Sequence, residues 1–357
     1  MPRPRQNAAS TSTPAPTAPQ PVQLKTPPVL YQQTQPIIAK VQDRIGMPLL
    51  TYWNSTNGAV CHNDVVGMHE VLRGIGQCKE LAIFIKSDGG TGTASLRIVN
   101  LLRGKAKRLT ALLPLNAESA ATMIAIGADE IQMGPMAFLS AVDTSLRHEL
   151  SPINSDNRRV SVSHDELLRV IRLSRGAATG EEAGSDAGDG AAYRHLFPHI
   201  HPLVIGAVDR ASSLSEKLCT EILGFHIADR AKAARISQTL NSEYPSHSYP
   251  IILSEARRIG LNASALPDDV NDLLLDLNGL YSEMGQAALT DRDERNYHSN
   301  EILNIIECQG LQVYYQEDKD WHYRLEERKW VPLNDNSSWR AVRFDGKKAA
   351  VSQLHIR

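Results

Sequence analysis

The chain has no excess of charge of either sign. Lys plus Arg number 38 against 40 Asp plus Glu, a formal net charge of -2. A nucleic-acid partner calls for a basic face or stripe, and this balance supplies none. Cysteine is scarce, with Cys61, Cys78, Cys219 and Cys308 scattered along 357 residues. No C-x-x-C pair occurs, so neither a zinc knuckle nor a dithiol redox motif fits. A secreted disulfide framework would be denser in a shorter chain, so reduced, mostly buried thiols are expected. Long apolar runs are missing as well: no stretch approaches the ~20 residues that a bilayer crossing needs. Arg3 and Arg5 are followed by Ala, Ser, Thr and Pro rather than an apolar segment, so no signal peptide is read. A cytoplasmic protein without a transmembrane segment is the expectation. No G-x-G-x-x-G fingerprint follows a strand and no pyridoxal-type lysine motif is present, so no cofactor is expected.

Hydrophobic residues nonetheless make up 42% of the chain and charged residues 22%, which supports a substantial core. Residues 1–32 are rich in Pro, Ala, Ser, Thr and Gln. Such a composition buries too little surface to offset its ordering entropy and reads as a disordered tail. Residues 33–290 read as the main domain. Pro36 to Val41 looks like a helix start, Pro48 to Trp53 like a buried strand, and Asp64 to Gly74 has apolar residues at helical spacing. Glu80 to Lys86 is a strong strand running into the Gly-rich turn Ser87-Asp88-Gly89-Gly90-Thr91-Gly92-Thr93. A helix to Arg103, a strand over Arg108 to Pro114, a small-residue helix over Ala117 to Gly127 and a strand over Asp129 to Met133 follow. This alternation argues for an α/β fold with a parallel sheet and crossover helices. Residues 176–192 are almost entirely Gly, Ala, Glu, Asp, Ser and Thr and read as a flexible insertion. Helical character returns from Leu203 to Leu240, over Ser254 to Ile259 with Gly260 as the stop, and over Asp269 to Met284. Residues 291–357 alternate like strands, with turns at Asn334-Asp335-Asn336 and Asp345-Gly346, and read as a small β-rich C-terminal appendage.

Two segments carry chemistry. Gly89 and Gly90 follow a strand, and without a Cβ their backbone N–H groups can approach a ligand closely. Ser119 stands at the start of a helix, after a strand and a turn. Unpaired N–H groups and the positive end of the helix dipole lie there, suited to the oxyanion formed when Ser119 attacks a carbonyl. A plain tight turn and a plain N-cap serine are the alternatives for the same residues.

The order strand, Gly-Gly, helix, strand, Ser-helix, strand resembles the Clp protease/crotonase superfamily. It is more closely similar to the Clp-fold serine dehydrogenase proteinase family, a relative of the signal peptide peptidase A proteins. The match is carried by Ile85-Lys86-Ser87-Asp88-Gly89-Gly90, Asn116-Ala117-Glu118-Ser119-Ala120-Ala121-Thr122-Met123-Ile124-Ala125, Ala128-Asp129-Glu130-Ile131 and Leu139-Ser140-Ala141-Val142-Asp143. Ser246-His247-Ser248-Tyr249-Pro250-Ile251 and Glu255-Ala256-Arg257-Arg258-Ile259-Gly260-Leu261 resemble the family's late loop and helix. The resemblance implies a Clp protease/crotonase-like fold, a serine peptidase-like hydrolase acting on a peptide or protein substrate, and a homo-oligomer. It puts the nucleophile at Ser119 and the oxyanion-hole N–H groups at Gly90 and Ala120, with Gly89 shaping the turn. The family's His-Thr-Pro before the glycine pair is Lys86-Ser87-Asp88 here, and Asp88 and Glu118 bring negative charge near a site that must stabilise one.

Clp proteases place a His after the serine at a position that falls near Asp143. The signal peptide peptidases use a Lys, and no Lys occurs between Lys107 and Lys217. His247 lies on a loop between two prolines, where the family also tends to carry a His, and is the leading candidate for the general base. His148 and Lys217 come next. His195, His199 and His201 invite a metal reading. Pro198 and Pro202 break the helix that would align them and no further ligand is evident, so no metal is expected. Two other function classes stand beside hydrolysis. One is a catalytically silent Clp-fold scaffold that binds partners. The other is crotonase chemistry on a coenzyme A thioester, for which no basic adenine-binding cluster is seen.

Overall fold

The computed structural model describes residues 23–143, 145–155, 158–163, 166–171, 196–344 and 349–356. The expected tail through residue 22, the 176–192 insertion, His195 and the Asp345-Gly346 turn lie outside the described residues.

Five strands build the parallel half of one sheet, in the order β1 (Leu49–Asn54), β2 (Cys78–Lys86), β3 (Ala106–Leu113), β5 (Glu130–Met133) and β9 (Ala263–Ala265). Leu81, Ile83 and Ile85 of β2 enter the core on one face, Ala82 and Phe84 on the other. Both faces are covered, so the strand reads as a continuous apolar run rather than an alternation. On the first face pack α2 (His62–Ile75), α3 (Gly92–Arg103), α4 (Ala120–Ala125), α5 (Pro202–Leu223), α6 (Arg230–Gln238) and α7 (Leu253–Arg258). On the second lie α1 (Tyr31–Ile45) and α8 (Asp268–Met284). This is the α/β layout with a parallel sheet and crossover helices that the Clp/crotonase resemblance implies. Among the described residues, no helix is long and apolar enough to cross a membrane. Two short pairs complete this half: β4 (Asn116–Ala117) with β6 (Phe138–Leu139), and β7 (Ser145–Leu146) with β8 (Val162–Ser163).

Three local expectations are corrected. The first helix begins at Tyr31 rather than Pro36, with Pro36 inside it. The ring removes one backbone donor, and burial of Tyr31, Thr34, Ile38 and Val41 carries the helix across the gap. The helix from Leu203 to Leu240 is broken: α5 stops at Gly224, and Asp229 restarts α6 by accepting from the N–H groups of Ala231 and Lys232. Ala117 belongs to a strand, and the serine helix starts after Ser119.

The C-terminal β-rich region consists of β10 (Ala288–Asp293), β11 (Asn296–Cys308), β12 (Leu311–Arg324), β13 (Lys329–Asp335), β14 (Ser338–Phe344) and β15 (Ala349–Leu354). It continues the central sheet. Strand β11 pairs antiparallel with β1, so the full order is β15-β14-β12-β11-β1-β2-β3-β5-β9. The pairing covers the edge of β1, which would otherwise expose a row of unpaired backbone groups. Glu307 of β11 anchors the seam. Its buried carboxylate accepts from Thr34, Gln35, Tyr281 and Gln312. Burial pushes its pKa up, and these four donors pull the other way.

Candidate active site

Ser119 connects β4 to α4 with φ 51 and ψ -115. Positive φ in a residue with a Cβ costs on the order of 1–3 kcal/mol and persists only where its surroundings over-determine it. Three fully buried hydroxyl residues do so here. The Ser119 N–H donates to Ser140 Oγ at 2.8 Å, and Ser140 Oγ donates onward to the Ala141 carbonyl. Thr122 Oγ1 donates to the Ala117 carbonyl at 2.7 Å and accepts from the Ser140 N–H. Ser95 Oγ donates to the Ala120 carbonyl at 2.7 Å.

The glycine turn lies directly against this elbow. Gly89 has φ 103, and a Cβ there would meet Ser119 Cβ at 2.7 Å. Gly90 has φ 147, and a Cβ there would collide with the Val60 backbone. Val60 brackets the turn, its N–H donating to the Gly89 carbonyl and its carbonyl accepting from the Thr91 N–H, both at 2.8 Å. The Gly89 N–H is spent on Ser87 Oγ at 3.1 Å. The N–H groups of Gly90 and Ala120 have no acceptor among the described residues, and both residues line one cleft with Ser119. The cleft holds about 510 Å³. Two unpaired backbone donors flanking a hydroxyl can receive a developing oxyanion, and losing one such donor costs on the order of 10²–10³ in rate.

His247 lines the same cleft. Its loop is tied down by reciprocal backbone bonds between Leu139 and Ile251, by the stacked rings of Tyr244 and Tyr249, and by a Tyr244–Glu255 hydrogen bond. Nδ1 of His247 lies 2.7 Å from Asp143 Oδ1. With the proton on Nδ1, the imidazole keeps Nε2 free as an acceptor. The hydrogen bond to Asp143 raises the His247 pKa above its ordinary value, opposed by burial and aided by the charges of Asp143 and Glu118. Asp143 is the residue that reading the sequence did not cast as a partner. The available signal was an acid at the place where Clp proteases carry their His.

The remaining candidates are not brought together in the cleft. His148 accepts from the Leu150 N–H, and Lys217 is largely exposed beside Glu221. Neither lines the cleft. Asp88 and Glu118 do not line it either: the Asn116 amide donates to both, at 2.7 and 2.8 Å. His201 caps α5 by accepting from the Leu203 N–H. Among the described residues, no three His, Cys, Asp or Glu side chains are grouped to hold a metal ion. All four cysteines are free. Burial pushes the thiols of Cys219 and Cys308 up to about 12, so they stay protonated and unreactive near neutral pH.

No family model matches the chain. No curated protein matches it. Among solved structures it is similar to a membrane-bound stomatin-specific protease, 1510-N. One mutant of that protease, in complex with a substrate peptide, is 12% identical with a TM-score of 0.36, covering 62% of this chain and 77% of that one. A second mutant is 12% identical with a TM-score of 0.35, covering 68% and 87%. Both likenesses are too distant to assign a chemistry.

Proposed function

We propose that this protein is a serine peptidase-like hydrolase. Ser119 is the nucleophile, His247 the general base, Asp143 the residue that orients and stabilises the imidazolium, and Gly90 and Ala120 supply the oxyanion hole. The observation that carries the reading is the 2.7 Å bond between Asp143 and His247 in the cleft that also holds the strained Ser119 and two unpaired N–H groups. Ser119 Oγ attacks the carbonyl carbon while its proton passes to Nε2 of His247. The tetrahedral oxyanion is held by the two backbone donors. Collapse breaks the C–N bond, and His247 returns the proton to the leaving amine. Water, activated by the same imidazole, then releases the acyl group and regenerates Ser119. The motif resemblance to Clp-fold serine dehydrogenase proteinases supports a peptide or protein as substrate.

Treatment with a fluorophosphonate, read by intact mass, tests this. The folded wild type is expected to gain one adduct that Ser119→Ala loses. Absence of an adduct on the folded wild type overturns the reading and leaves the silent scaffold.

A further inference from the structure

We infer that strand β11, in the C-terminal β-rich region, sets the oxyanion hole, with Asn304 and Glu301 as its positioning residues. The inference rests on the hydrolase reading above.

The glycine turn is placed by Val60, which bonds to residues on both sides of Gly90 and leaves the Gly90 N–H unpaired. Val60 lies in the loop between β1 and α2, outside any helix or longer strand and joined to Gly90 by an isolated bridge, so the position of this pair must be fixed from elsewhere. Strand β11 does so at several points. The Asn304 amide nitrogen donates one hydrogen to the Ala59 carbonyl at 3.0 Å and the other to Asp64 Oδ1 at 2.7 Å. Asp64 is itself buried, and its second oxygen accepts from the Cys61 N–H at 2.7 Å. Asn304 therefore grips the backbone directly before Val60 and, through Asp64, directly after it. Further out, the Leu303 carbonyl takes the Ser55 N–H, and Glu301 accepts from Ser55 Oγ and from the Asn57 amide.

The strand is shaped for this contact. The β11–β12 register shifts between Ile302 and Asn304, so Leu303 is an extra residue. A strand normally sends residues two apart to the same face. Here Ile302 and Ile305 enter the core on the α1/α8 side, while Ile306 enters it on the α2 side. The bulge inverts the alternation and turns Asn304 toward α2 and the loop, as bulges beside active sites do. A regular strand would have faced Asn304 toward α1 and α8.

Asn304→Ala removes the donor to the Ala59 carbonyl and to Asp64 Oδ1, leaving Asp64 held by Tyr52 and Cys61 through its other oxygen, and loosens the backbone before Val60. Small misplacements of catalytic groups cost heavily, so the fluorophosphonate labelling rate of Ser119 is expected to fall about 10-fold or more. The apparent pKa of its acid limb should stay unchanged, because His247 and Asp143 are untouched. A second measurement separates positioning from general loosening. In the Ser119→Cys background, alkylation by iodoacetamide occurs at a saturated carbon and builds no oxyanion. Asn304→Ala should leave that rate within about twofold. Equal labelling rates in Asn304→Ala and wild type overturn the inference, as do labelling and alkylation falling together. If Asn304→Ala does not fold, Glu301→Ala is read in the same way, with Glu301→Gln expected to restore the rate, and unchanged labelling in Glu301→Ala overturns the inference. A folded wild type that takes no label at all sinks the hydrolase reading first, and this inference with it.

Discussion

Replacing Asp143 by Asn keeps the side chain's shape and removes its charge. In a fully buried Ser–His–Asp triad the same exchange costs about 10⁴ in turnover. Here the His247 side chain is 47% exposed and Asp143 21%, so water shares in solvating the imidazolium. A loss of about 10²–10³ at the pH plateau is therefore expected. The pH profile should move as well. On the proposed reading only neutral His247 can take the Ser119 proton, so the rate rises as pH climbs through its pKa. In the wild type the hydrogen bond to Asp143 favours the charged ring and holds that limb above the ordinary imidazole value. In Asp143→Asn the charge behind the largest raising influence is gone while burial still lowers the pKa, so the limb should move to lower pH than in the wild type. The deficit is then smaller on the acid side than at the plateau. Second-order labelling rates measured by intact mass between about pH 5 and 9 give both quantities at once. A limb and a plateau that match the wild type would refute the Asp143–His247 base.

Two further substitutions probe the elbow. Ser119→Gly removes the adduct but relieves a positive φ, and its own Oγ makes no hydrogen bond that would be lost among the described residues. It should raise stability by about 1 kcal/mol in chemical denaturation, and a lower stability than wild type would count against strain at this position. Gly89→Ala puts a Cβ 2.7 Å from Ser119 Cβ at φ 103. Loss of labelling and a drop of about 1–3 kcal/mol are expected, and wild-type behaviour in both assays would deny the close contact between turn and elbow.

The parallel half of the sheet was legible because its signals are local. Leu81 to Ile85 is an apolar run ending at a glycine turn, and Ser119 sits within a few residues of the strand and helix that frame it. The C-terminal half was less so. Strand β11 buries His298, Ser299, Asn300, Glu301, Asn304 and Glu307, so its polar residues give no alternation to read, and its bulge inverts what alternation there is. The Asp143–His247 pair was illegible for another reason: 104 positions separate the two residues, and their meeting depends on the Leu139–Ile251 bridge that brings the late loop to β6. The Leu203 to Leu240 helix was overread because apolar spacing continues across a break that only the cap at Asp229 reveals.

The way β11 joins β1 also has a kinetic side. The residues around Ser119 come from the first half of the chain, His247 arrives 104 positions after Asp143, and Asn304 reaches Asp64 across 240. Contacts that close such long loops form late, because their entropy must be spent before they return anything. A chain emerging from the ribosome would carry Ser119 long before it carried His247 or the strand whose Asn304 holds the loop at Ala59 and Asp64. On the proposed reading, hydrolytic competence would arise only once β11 has been made and paired with β1.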